Sequence, residues 1–319
     1  MGDLQPSVAV SLHALLALTG IMGNVFILIV HFLDWLKTYK LNPCDFIINS
    51  ISLSNISLQG AVLINEIFYF LFITFYSQTK VFNSMVVIMF SFAFSSLWCS
   101  VVLCFYYCVK IINFTGTFFH MLKAKLAGLV PWMIIFSIVM SWAAGLPSYW
   151  DLYHVIDISF NPISNYTGNR TFMISFKLKS KCNCLFNVYV LLCAVALVII
   201  VFTAGGILLS LCMHMIRMKH SNEGSGGGKI NSHLSAAKTV TSLLLLYLYF
   251  IWALNMIINE TTAIGSLTFS MCFLAISSFP TLNAIILIKG NRKLRNMCKR
   301  ILGIKSVVAG NIEVIVATN

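Results

Sequence analysis

Residues 185–213, LFNVYVLLCAVALVIIVFTAGGILLSLCM, carry no charged side chain over their whole length. About 20 apolar residues in an α-helix, each rising about 1.5 Å, cross the hydrocarbon core of a bilayer. This run is long enough to do so and apolar on every face, which a helix on the surface of a soluble domain is not. Working outward from it, runs of the same kind recur near 8–33, 46–76, 82–109, 126–149, 239–258 and 263–288. The rest of the chain agrees with them. Of 319 residues, 59% are hydrophobic and 9% charged, against roughly a quarter charged in an average soluble domain, and the mean hydropathy is +0.90. The expected fold is an all-α integral membrane protein: a seven-transmembrane-helix bundle over 1–290, followed by a cytoplasmic tail over 291–319. The first run has no basic segment before it and no small-residue cleavage site after it, so it reads as a helix that stays in the membrane.

Charge fixes the expected orientation. Alternate segments between the runs, together with the tail, hold 16 Lys and Arg residues, while the opposite set holds five: Lys80, Arg170, Lys177, Lys179 and Lys181. The basic set faces the cytoplasm by the positive-inside rule, which puts the N-terminus outside and the C-terminus inside. The net charge of +12 is then accounted for by anionic lipid of the inner leaflet, and nucleic acid is not an expected partner. The sequons at Asn165, Asn169 and Asn259 fall outside in this topology, and Asn165 and Asn169 are the expected glycosylation sites. Two further sequons, at Asn113 and Asn55, fall inside and within a span. The tail from Arg292 to Leu302 reads as a short amphipathic helix on the inner membrane surface. Cys298 on it is either a palmitoylation site or a free thiol.

Catalysis and metal binding find no support. Most of the ten cysteines lie in apolar runs, where a thiol is a small hydrophobe. Cys182 and Cys184 are too close for an unstrained mutual bridge and read as free thiols. No zinc-ligand spacing occurs, no nucleophile stands beside a base, and Gly224 to Gly228 has the composition of a flexible linker. No cofactor is expected.

The interior polar groups distinguish a receptor from a pump. Transporters line their pathways with several ionisable residues. Here the spans contain almost none, the two to weigh being Glu66 in the second and His13 in the first. An intramembrane carboxyl must face the bundle and be paired or protonated. Glu66 is either a polar anchor in a ligand cavity, suited to an amine, or a neutral acid bonded to Asn65, Tyr69 or a neighbouring helix. His13 is expected to snorkel or pack. Gly20, Gly23 and Asn24 read as a close-packing face with a polar interhelical bond. Asp45, after Asn42 and Pro43, reads as a helix-start residue near the positive helix end.

Ordered blocks along the chain carry a resemblance. The first helix and loop give Gly20-x-x-Gly23-Asn24-x-Phe26-Ile27-x-x-Val30 and Asp34-Trp35-x-Lys37-x-x-Lys40-Leu41-x-x-x-Asp45-x-Ile47. The third helix gives Trp98, Leu103 and Tyr107-x-x-Lys110-Ile111-x-Asn113-Phe114-Thr115. The fifth ends Ser210-Leu211-x-x-His214-x-x-x-Met218, and the sixth begins His233-x-x-x-Ala237-Lys238-Thr239-Val240 and runs on to Tyr247. Asn291-x-Lys293-Leu294-Arg295 follows Pro280. In these blocks, over residues 19 to 300, the chain resembles the type 2 (bitter) taste receptors, a family of G-protein-coupled receptors. It departs from the family pattern at Asn55, where an Arg is usual, and at Asn283-Ala284, where His-Ser is usual. Met89 and Ala93 stand where many members carry Trp and Asn.

The resemblance implies a multi-pass plasma-membrane receptor, not an enzyme, that binds small bitter compounds from outside and activates a heterotrimeric G protein of the gustducin type. The expected ligand cavity lies among the outer halves of helices two, three, five, six and seven, lined by Glu66, Met89, Ala93 and the mid-membrane Tyr247. Tyr247 has a switch role by the resemblance; as a residue it also reads as a core tyrosine bonded to a carbonyl. The expected G-protein contacts are Lys110, His214, Arg217, Lys219 and Lys238, each of which also reads as positive-inside anchoring. A pheromone-type chemoreceptor related to the vomeronasal type 1 receptors is the alternative receptor class, and a seven-helix transporter or channel the alternative outside it.

Overall fold

The structure, a computed structural model, describes residues 4–112, 117–160, 172–181, 183–221, 227–258 and 267–303. The chain runs through α1 (Leu4–Thr38), α2 (Pro43–Leu71), α3 (Ile73–Tyr76), α4 (Thr79–Ile111), α5 (Thr117–Gly145) and α6 (Ser148–Asp151). A hairpin of β1 (Leu152–Phe160) and β2 (Phe172–Ser180) follows, then α7 (Asn183–Ser221), α8 (Gly227–Ile258), α9 (Leu267–Gly290) and α10 (Arg292–Ile301). Seven of these helices are long and apolar enough to cross a membrane: α1, α2, α4, α5, α7, α8 and α9. They are the seven runs of the sequence.

Burial shows which helix is central. In its most apolar window α4 has 72% of its residues buried, against 28% for α5 and 33% for α7. Accordingly α4 packs on α2, α5, α7 and α8, while α9 closes the ring between α8 and α1. The outward faces carry large apolar side chains such as Phe202 at 76%, Trp132 at 71% and Met22 at 70% exposure. A belt of that kind on all sides would be insoluble in water and is the surface a lipid-facing bundle requires.

Three details differ from the sequence expectation. The run 46–76 is two helices, because the backbone leaves helical geometry at Phe72 (φ −129°, ψ 46°). Helices α7 and α8 continue past their apolar runs to Ser221 and from Gly227, so most of the fifth break is helical. The polar stretch from Trp150 to Cys184 predicts a loop, but nine antiparallel pairs join β1 to β2 there, from Leu152 opposite Ser180 to Phe160 opposite Phe172. The alternation Ile156-Asp157-Ile158-Ser159-Phe160 against Ile174-Ser175-Phe176-Lys177-Leu178-Lys179 is the strand signal in this stretch. The register sets Ile158 opposite Ile174 and Ile156 opposite Phe176. Residues 165 and 169 lie outside the described residues, as do 113, 182 and 259. The bundle thus has a hairpin end and an α10 end.

Candidate functional site

In the half of the bundle nearer the hairpin, α1 and α2 are tied by His13 and Glu66. His13 Nδ1 lies 3.0 Å from Glu66 Oε1, both side chains are buried, and the imidazole ring packs 4.9 Å from that of Phe273 on α9. His13 therefore neither snorkels nor simply packs; it supplies the partner that an intramembrane carboxyl needs. Asn65 bonds in another direction, its Oδ1 accepting from Tyr76 Oη at 3.0 Å. Outside the spans, burial pushes the Tyr76 phenol up to about 12, so it stays a neutral donor at neutral pH.

The remaining sequence-predicted cavity residues stand on two further helices. Ala93 is buried on α4 and Met89 is half-buried one turn before it. Next to them Phe90, Phe94 and Tyr189 of α7 form a stack, with Tyr189 5.7 Å from both phenylalanines at 14° and 15°. Beside Met89 and Ala93, which stand where many members carry Trp and Asn, α4 and α7 thus meet through aromatic faces. Tyr247 is buried on α8 and its hydroxyl donates to Cys193 O on α7 at 2.6 Å. Glu66 reaches α1 and Tyr247 reaches α7, so the two polar members of the set hold different helix pairs together.

The middle of the bundle holds a network that the sequence does not reveal. Asn55 Nδ2 on α2 donates to Asn24 Oδ1 on α1 at 3.2 Å, and Ser96 Oγ on α4 donates to Asn55 Oδ1 at 2.6 Å. Asn283 Nδ2 on α9 points to Ser96 Oγ at 3.4 Å and Ser100 Oγ at 3.5 Å. Asn24 Nδ2 bonds the Gly20 carbonyl at 2.8 Å and reaches Pro280 O at 3.4 Å. The two replacements, Asn55 and Asn283, are both members. Each is a short amide that both donates and accepts, so the four helices are joined without charge.

Gly20 belongs to the same α1–α9 contact. A Cβ there would collide with Gln59 Nε2 and Thr281 Oγ1, whose own hydrogen bond of 2.9 Å links α2 to α9. A larger residue there would have to displace this bonded pair.

At the α10 end the charges gather. Lys293 Nζ donates to Asp34 Oδ2 at 2.6 Å and to Asp45 Oδ2 at 3.0 Å. Burial opposes the Lys293 ammonium, but its hydrogen bonds and attraction to the two aspartates outweigh this and raise its pKa. Asn291 Oδ1 caps α10 by accepting from Lys293 N at 2.9 Å, and Leu294 is wholly buried. Asp45, expected at the start of α2, does lie in the helix's first turn and in addition anchors α10. Ser235 Oγ on α8 donates to Gly290 O at 3.0 Å, and a Cβ on Gly290 would collide with Thr239 Oγ1. The ends of α8 and α9 are therefore in tight contact.

Of the basic residues expected on this surface, Lys110 is exposed, with Nζ 3.2 Å from Tyr106 Oη and 5.3 Å from the centre of the same ring. Lys238 is exposed on α8. Residues 214, 217 and 219 lie on α7 near its α10-end terminus. Among the described residues no cluster of His, Cys, Asp and Glu is arranged to hold a metal ion.

Comparison with known proteins gives one answer. The family model described as taste receptor protein (TAS2R) matches residues 1–306. Taste receptor type 2 member 40 of Gallus gallus is 29% identical over 308 residues, covering 95% of this chain and 96% of the relative. Taste receptor type 2 member 39 of Homo sapiens is 27% identical over 89% of this chain and 83% of its own. Taste receptor type 2 member 2 of Homo sapiens is 27% identical over 90% and 93%.

Proposed function

The chain belongs to the taste receptor protein (TAS2R) family of seven-helix G-protein-coupled receptors, and from that premise we propose that it detects small bitter compounds and activates a heterotrimeric G protein. The observation that carries this reading is the reach of the family match, which runs through all seven membrane helices and α10. The interior supports it too: an uncharged amide and hydroxyl network joins the helices, where a transporter would need an ionisable path.

In this reading the N-terminus and hairpin face outward at the plasma membrane, and the α10 end, which holds most of the Lys and Arg, faces the cytoplasm. Asn165 and Asn169 carry glycans outside. Ligand enters among the hairpin-side halves of the helices, lined by Glu66, Met89, Ala93 and Tyr247, and is apolar or amphipathic. A ligand shifts the receptor only through its differential affinity for the active arrangement. Tyr247 lies where such a difference would be felt, since its hydroxyl ties α8 to α7. Parting of α7 and α8 at the inner side then admits a gustducin-like G protein, which Lys110, His214, Arg217, Lys219 and Lys238 contact.

The test is expression in cells carrying a promiscuous G protein, with calcium read out against a broad panel of bitter compounds. Responses to some of the panel are expected. Silence across it, with surface expression verified, overturns the reading. A Glu66→Gln receptor is expected to lose sensitivity to cationic agonists more than to neutral ones. Equal effects on both would remove Glu66 from charge recognition and leave it as the partner of His13.

A further inference from the structure

The apolar span that begins in α5 ends at Asp151, and β1 begins at the next residue. On the return side Lys181 N donates to Asp151 O at 3.0 Å, and α7 starts at Asn183 and enters its own apolar span at Val188. Both feet of the β1–β2 hairpin therefore stand at one surface of the bilayer. The residues around them agree. Leu146 and Trp150 are exposed, and the Trp150 and Tyr149 rings meet edge to face, 5.3 Å apart. Trp and Tyr at the end of a span mark the headgroup level. The lipid-facing belt of the bundle thus continues to the base of the hairpin.

The hairpin itself is two-faced. In an antiparallel pair, opposed residues share a face and successive residues alternate between faces. Ile156, Ile158 and Phe160 are opposed by Phe176, Ile174 and Phe172, so one face is apolar away from the base. The other face holds every Asp and Lys of the two strands: Asp157, Lys177 and Lys179. A two-stranded hairpin is marginal in water unless its apolar face is covered. The helices that β1 packs on are α4 and α6. A hairpin of nine-residue strands, about 30 Å long, would also pack across α2, α8 and α9 if it were folded over the bundle.

The free edges set the depth. Each strand of this two-stranded sheet has an unpaired edge, and open edges are not tolerated in hydrocarbon, where nothing meets their N–H and C=O groups. At the headgroup level water reaches the edges, while an apolar face still rests on the acyl boundary and a charged face stays in water, as for amphipathic helices at an interface. A hairpin with both feet at that level, one apolar face and one charged face meets every one of these conditions by lying flat. We propose that the β1–β2 hairpin lies on the outer leaflet beside the bundle, apolar face down, and is a lipid-binding surface of the receptor. The proposal rests on the outward placement of the hairpin only for which leaflet it meets.

The experiment reconstitutes the full-length receptor, a single copy per nanodisc, in phosphatidylcholine with and without a phosphatidylcholine that carries a nitroxide high on its acyl chain. A small fluorescent amino acid is placed singly at Ile156, Ile158 or Ile174 and, on the other face, at Val155, Asp157 or Ser175. The expected result alternates along the strands. The nitroxide lipid quenches the first set and spares the second, and aqueous iodide quenches the second and spares the first. In the unaltered receptor, a phospholipid with a photoreactive group at the same depth is expected to label 156–160 and 172–176, which covers disturbance by the probes. Quenching of the first set by iodide would show a hairpin standing free in water, and protection of that set from both quenchers a hairpin folded onto the bundle. Either result, equal lipid quenching of the two faces, or no lipid adduct in the strands overturns the proposal. Both leaflets of the disc are alike and neither agonist nor G protein is used, so failure here is separate from failure of the receptor reading.

Discussion

A carboxyl group within the span of α2 has to be neutralised or paired, and His13 does so from α1 at 3.0 Å. Removing one member of such a pair leaves the other buried with an unmet polar group, which costs about 1–3 kcal/mol, and more when charged. Both His13→Ala and Glu66→Ala are thus expected to lower the unfolding temperature of the purified receptor. The double variant should lose less than the sum of the two, by about 0.5–3 kcal/mol. Strict additivity in a thermal-shift cycle would show that the contact contributes nothing. Glu66 was legible in the sequence as a buried carboxyl needing a partner, because the apolar context of its span demands one. Which group answers was not legible, since 53 residues separate the two and only the packing of α1 on α2 brings them together. The Asn24–Asn55–Ser96–Asn283 network has the same character. Single amides and hydroxyls in apolar helices carry no pattern that reveals which helices they face.

At the scale of elements, the contact of α8 with the end of α9 rests on the absence of a side chain at Gly290. Placing a methyl there against Thr239 Oγ1 should displace α8 at the α10 end, and α8 is one of the two helices proposed to move in activation. Gly290→Ala is therefore expected to raise ligand-free calcium signalling a few-fold, and adding Thr239→Ala should restore the low baseline. Unchanged basal signalling at equal surface expression would count against α8 as the moving element. The α10 clasp has a defined pH response. Because the Lys293 pKa is raised, its contribution is complete below the ordinary lysine value, about 10.4, and is lost only as pH climbs through the raised one. A spin label on the half-buried Cys298 should keep one mobility from pH 6 to 9 and loosen at neutral pH in Lys293→Ala. Loosening of the unaltered clasp between pH 6 and 8 would contradict this account. Helix α10 was itself readable from its basic and apolar spacing, whereas the β1–β2 hairpin was masked by its net polarity. Its alternation is short, and the apolar runs on either side set the scale against which it reads as a loop.

For the whole molecule, the bilayer as solvent is the decisive fact. It makes seven apolar runs into seven helices and turns exposed residues such as Phe202 and Trp132 into lipid contacts. The bundle was readable from hydropathy because every backbone polar group in hydrocarbon must be bonded within a helix. The ligand region was less readable, because it depends on which residues from α2, α4 and α8 meet, and the stack of Phe90, Phe94 and Tyr189 lies one residue beside the positions singled out from sequence. A receptor and a transporter of the same fold differ in what crosses the membrane: a conformational signal in one, a solute in the other. Agonist-stimulated guanine-nucleotide exchange on a purified heterotrimeric G protein, with the receptor alone in nanodiscs, separates the two directly. The expected result is exchange that rises with bitter-agonist concentration and is abolished when receptor is omitted. Solute flux through the same protein in sealed vesicles, with no exchange at any agonist concentration, would contradict the account.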